Sequence, residues 1–342
     1  MKAFLFWTFL LLFSLPMVLA GCSTGPERKV QRAFYYWRSS FQLDSAERKA
    51  LTGLHCRRLY VKFFDVTWNE ESQAPQPAAQ IRFSEKPPAG LTITPVVFIT
   101  HETLRHLAPM GIPELARHLA RLTEQLALTH GLRLSNEVQI DCDWTAATRT
   151  PYFRLLQALR REPFFRHKTF SATIRLHQLK YISQNGIPPV DKGLLMCYNM
   201  GNLRRPETGN SIIETTELQK YIRNLDSYPL PLDVALPLFD WYVWFRGRQY
   251  QGLFHSYQLP DAGRRERRIV FTRDTVVNGY AFTKGDWLRY EGSPPAALME
   301  AAKLLDRKLR NKEISVIFYH LDRHHLNRYQ PYELENIFDR FR

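Results

Sequence analysis

Cysteine is scarce in this 342-residue chain: there are four, at Cys22, Cys56, Cys142 and Cys197. The last three are odd in number and lie in or beside apolar runs, which argues for buried thiols and against a disulfide framework or metal cluster. Acid is also short, with 33 Asp and Glu against 47 Lys and Arg, a formal net charge of +14. The cations are dispersed, at Arg57-Arg58, Arg160-Arg161, Arg204-Arg205, 264–268 and 307–310. The excess therefore reads first as a solvated surface and next as attraction to anionic headgroups or acidic polysaccharide; no nucleic-acid partner is expected. No Gly/Ser-rich linker, low-complexity tract or fixed-period repeat divides the chain, which favours one domain. Gly-rich phosphate loops, an HExxH helix and a GxSxG elbow are missing too, which argues against nucleotide, metalloprotease and serine-hydrolase chemistry. No cofactor is expected.

What is present begins at the start. Lys2 precedes an almost unbroken apolar run, 3–15, and the segment closes on Leu19-Ala20-Gly21-Cys22. It resembles a bacterial lipoprotein signal peptide, which implies removal of residues 1–21, acylation of Cys22 and attachment to membrane lipid at the cell envelope. An ordinary signal peptide or membrane anchor is the plainer alternative, but the apolar core is shorter than the roughly 20 residues a span needs. Ser23 stands where the resemblance associates aspartate with inner-membrane retention, so the outer membrane is expected. Residues 22–32 then read as a lipidated tether and 33–342 as the folded domain.

Short apolar or alternating runs at 33–37, 58–65, 91–100, 137–142, 170–176, 193–199, 234–240 and 315–320 read as eight strands. Helical spacing separates many of them, at 112–130, 151–161, 215–224 and 295–309, with Asp44 or Ser45 capping a further helix. The pattern predicts an α/β chain folded as a single (β/α)8 TIM-type barrel. Residues 177–192 are too poor in pattern to assign. The interval 241–292 is too long for one loop and reads as a β-containing insertion after strand 7.

In such a barrel, chemistry gathers where the strands end. The fourth strand puts Gln139, Asp141 and Asp143 on one face, with Trp144 next. Asp65 and Asp240 close two other strands, so Asp143, Asp141, Asp65 and Asp240 are the candidate catalytic acids. Trp68, Trp144, His177, Tyr198, Asn199, Trp241 and Tyr319 are the candidate substrate-binding groups, because aromatic faces stack on sugar rings while amides and acids bind hydroxyls. Each acid also reads as a loop cap or as an ion-pair partner of Lys62 or Arg175. His320, His324 and His325 lack acidic partners in sequence, and no metal site is expected.

Asp141-Cys142-Asp143 resembles the middle of the D-G-x-D-x-D-x-E strand motif of chitinase-like glycoside hydrolases. The resemblance implies a barrel in which the last acid protonates the glycosidic oxygen and the preceding aspartate orients an acetamido group. Thr145 replaces that last acid, and Val138-Gln139 replace the initial Asp-Gly. Together with residues 188–201 (PPVDKGLLMCYNMG), the stretch looks like an uncharacterised family of exported bacterial barrels. Two functions follow as expectations: an envelope lipoprotein that binds or hydrolyses a polysaccharide, or a non-catalytic scaffold. A third, an assembly factor recruited through its surface, requires a contiguous basic patch away from the strand ends.

Overall fold

The computed structural model describes residues 28–255, 259 and 266–342. The leader, Cys22 and most of the tether lie outside them. Eight parallel strands form the centre: β1 (Lys29–Tyr36), β2 (Arg58–Asn69), β3 (Thr92–Ile99), β4 (Glu137–Cys142), β5 (Thr169–Arg175), β6 (Lys192–Met196), β7 (Leu232–Pro237) and β8 (Glu313–Tyr319). Each pairs with the next, and β8 returns to β1, so the ring closes. This is the expected (β/α)8 barrel.

Local chemistry explains the elements. Asp44 caps helix Ser45–Gly53 through a reciprocal box with Glu47, satisfying donors that the first turn leaves free. Helix Ile112–Thr129 buries Leu115, Leu119 and Leu126 at helical spacing, each contributing about 1.5–3 kcal/mol. Leu128, read as part of that stripe, is 75% exposed, because two residues beyond Leu126 is about 200° round the helix. Gly193 is required by close approach: a Cβ there would meet Leu232 Cδ2 at 2.6 Å.

Three segments differ from expectation. β1 begins at Lys29, four residues before the expected start. β2 continues past the expected end at residue 65, through Val66, Thr67 and Trp68, and turns back as Ala74–Ala78. Pro75 and Pro77 are tolerated because that return strand is an edge. Residues 177–192 contain parts of two short helices, Leu176–Lys180 and Ile182–Asn185, too short to show a periodic face. The insertion after β7 has a four-stranded antiparallel sheet with Trp241–Arg246 and Asp286–Glu291 at its centre.

The lumen is polar. Glu137 accepts from Ser171 Oγ at 2.7 Å, from Tyr60 OH at 3.1 Å and from Arg58 at 3.2 Å. Lys192 Nζ bridges Glu137 at 2.8 Å and Asp233 at 2.6 Å, and the Ser315 backbone N–H donates to Asp233 at 2.7 Å. One layer higher, the Tyr35 hydroxyl donates to Gln139. Buried charges of this kind persist only when each is paired and hydrogen-bonded.

Candidate functional site

Alternation on β4 puts Glu137, Gln139 and Asp141 in the lumen, so Asp141 is the last lumen-facing acid before the strand opens into its loop. At this end of the barrel lies a cleft of about 370 Å³. Its lining includes Trp37, Asp141, Tyr198, Phe239, Asp240, Trp241 and Tyr319. Four elements supply the rings. Trp37 follows β1, Tyr198 follows β6, Phe239 and Trp241 follow β7, and Tyr319 ends β8. The Tyr319 centroid lies 5.8 Å from Trp37, 5.4 Å from Tyr198 and 5.9 Å from Phe239, and Phe239 is 5.1 Å from Trp241. Tyr198 is buried, yet among the described residues its hydroxyl has no hydrogen-bond partner. Burial pushes that phenol well up, so it remains a donor. A buried unpartnered donor in a cleft is the polar handle a ligand hydroxyl or carbonyl would satisfy.

The acids are less free. Asp143 is engaged at both oxygens by Arg175, through Nε and through Nη2 at 3.0 Å. Asp141 accepts from Thr173 Oγ1 at 2.6 Å. Burial pushes its carboxyl up to about 6, with Arg175 opposing and Asp143 adding to the rise. Asp65 pairs with Lys62 at 2.8 Å and is not among the cleft's lining residues. Asp240 lines the cleft, but Tyr290 OH donates to it at 3.0 Å and Arg328 Nη1 lies 3.3 Å away. The ion-pair alternative read for these acids, Lys62 and Arg175, is therefore what the structure has at Asp65 and Asp143.

Several candidate binding groups stand apart from the cleft. Trp144 is fully buried, stacks on Tyr152 at 5.1 Å and donates its indole N–H to the Asn185 carbonyl at 2.9 Å. The strand ends at Cys142, so alternation no longer governs where the indole points; it corrects to a packing residue. Trp68 sits on the β2 extension, stacked on His106 at 5.2 Å. His177 is exposed on the helix after β5. Thr145, in the place of the motif's acid, is exposed, with Oγ1 3.3 Å from His101 Nε2. Asn199 lines the cleft in a left-handed conformation with φ 55°, which asparagine tolerates better than most residues.

Trp37 and His320, which the sequence places at strand ends, line the cleft, as do Phe98, Phe239 and His325, which it did not single out. A strand-end position was the available signal for Trp37. None existed for His325, which lies within a short helix beyond β8. Asp240, His324 and His325 bring potential metal ligands within 4.8 Å of one another, supplying an acid that sequence distance conceals. Arg328 already places a cation on that acid. Burial, aided by His320, lowers His325 to about 4, leaving it neutral at physiological pH.

No protein-family model and no curated protein matches the sequence. Solved structures do match in fold. The spore cortex-lytic enzyme SleL of Bacillus megaterium superposes with TM-score 0.56 at 11% identity, over 93% of this chain and 76% of that one. The GH18 chitinase ChiB of Flavobacterium johnsoniae gives 0.53 at 12%, over 92% and 94%. A GH18 chitinase of Cycas revoluta, solved in complex with (GlcNAc)3, gives 0.52 at 11%, over 90% and 98%. The chain thus shares the (β/α)8 barrel fold of these structures.

Proposed function

We propose that this protein is a lipid-anchored envelope protein that holds a polysaccharide in the strand-end cleft without cleaving it. The carrying observation is the pairing of an aromatic wall with the unpartnered, buried Tyr198 hydroxyl. Rings in that arrangement offer faces to the apolar side of sugars, and the phenol offers one oriented hydrogen bond. Hydrolysis requires one protonated and one ionised carboxyl flanking the bond. Asp143 is held by Arg175, Thr145 cannot donate as an acid, and Asp240 carries Arg328. The (GlcNAc)3 bound by the Cycas revoluta enzyme makes N-acetylglucosamine oligomers the first probes. Anchoring through acylated Cys22 follows from the leader resemblance, and the outer membrane from Ser23.

One observation favours hydrolysis as a second reading: Asp141, held near pKa 6, keeps a proton close to neutrality in the same cleft. A glycan-array and hydrolysis screen of the chain lacking residues 1–22 separates the two, with Asp141→Asn and Asp143→Asn alongside. Binding without new reducing ends supports the binding protein. Cleavage abolished by Asp141→Asn establishes the enzyme.

A further inference from the structure

The opposite end of the barrel has a different chemistry. A cavity of about 900 Å³ opens where the strands begin, lined by six Lys or Arg side chains against Glu137, Asp233 and Glu313. Glu137 and Asp233 are already neutralised by Lys192 and Arg58. A neighbouring hollow of about 760 Å³ shares Gln31, His55 and Arg57 with it, adds Arg48 and Arg133, and has no carboxylate in its lining. Exposed Arg57, Arg133 and Lys312 stand before β2, β4 and β8 and make no ion pair among the described residues. Lys29, Arg32, Arg342 and Arg48 are paired with Glu313, Asp339 and Glu85, so the cations this end leaves for an anionic partner, away from the cleft, are Arg57, Arg133 and Lys312.

The chain also enters at this end. Arg28 is fixed there by the carbonyls of Asn311 at 2.9 Å and Leu309 at 2.7 Å and by Asp306 at 2.6 Å. Five residues lie between Cys22 and Arg28, so the six Cα–Cα steps reach at most roughly 20 Å. An acylated Cys22 would let this face approach the lipid surface, where cationic side chains within about a Debye length, roughly 8–10 Å, are attracted to anionic headgroups.

We infer that the strand-start end of the barrel is a membrane-docking face for anionic phospholipid headgroups, which orients the carbohydrate cleft away from the bilayer. The orientation rests on the lipid anchor; the headgroup affinity does not, so the two are tested apart. The chain lacking residues 1–22 is sedimented with phosphatidylcholine vesicles and with vesicles holding roughly 30% phosphatidylglycerol, where each lysine or arginine near the surface contributes about fivefold to partitioning. The expected result is binding to the anionic vesicles only, lost in about 0.5 M salt. Arg57→Glu/Arg133→Glu/Lys312→Glu should lower partitioning by about a hundredfold or more. Arg105→Glu/Arg154→Glu/Arg204→Glu, an equal charge change outside this face, should retain most binding. Equal loss in both triples would overturn the docking face, as would no preference for phosphatidylglycerol. If the first triple fails to fold by circular dichroism, Arg57→Gln alone should still cost about fivefold. Mass spectrometry of the mature N-terminus, with Cys22→Ala as control, reports on the anchor independently.

Discussion

The two ends of the barrel differ in what their charges are doing. At the strand starts, acids and bases are buried in a closed network around Lys192, ringed by exposed arginine and lysine. At the strand ends, rings dominate, acids are held one by one, and a buried phenol has no partner. The larger cavity is at the first end, but the unsatisfied, convergent chemistry is at the second. Size alone would point to the end opposite the one proposed to hold a sugar. Under the proposed function the first end supplies stability and surface charge, and the second takes the ligand.

Breaking the lower network should have the largest effect. Lys192→Met leaves Glu137 and Asp233 buried without their shared cation, a loss of about 3–5 kcal/mol, read as the denaturation midpoint in urea. Trp144→Ala should cost a similar amount, about 3–5 kcal/mol, because the indole is core; a Trp144 that instead touched ligand would lower affinity with little change in stability.

The pH dependence of stability sharpens the contrast at the cleft. Asp141 is raised to about 6 by burial, so below the unfolded value it is protonated in both states. Between roughly pH 4 and 6 the unfolded chain loses that proton while the folded chain keeps it, and stability falls by about 3 kcal/mol across the window. Asp141→Asn should flatten that decline, seen as parallel denaturation curves at pH 4 and pH 7.

Much of this was legible in sequence. Period-two patterning located the eight strands, and alternation correctly turned Gln139 and Asp141 inward. It no longer applies two residues past the strand, where Trp144 turns to Tyr152 and Asn185. The helices at 176–185 were hidden because a five-residue helix shows little periodicity. Arg328 on Asp240 was hidden because the pair spans 88 positions and only barrel closure brings them together. Arg175, two strand positions beyond Thr173 and facing the same way, was legible as a partner for Asp143.

The smallest energetic effect carries the central claim. Calorimetric titration of an N-acetylglucosamine oligomer into wild type and Trp241→Ala, with reducing ends measured in the same samples, tests whether the cleft binds without cleaving. Saturable binding is expected, weakened about tenfold by losing one stacking face, with no reducing ends released by either protein. Release of reducing ends by wild type, abolished by Asp141→Asn, would contradict that claim.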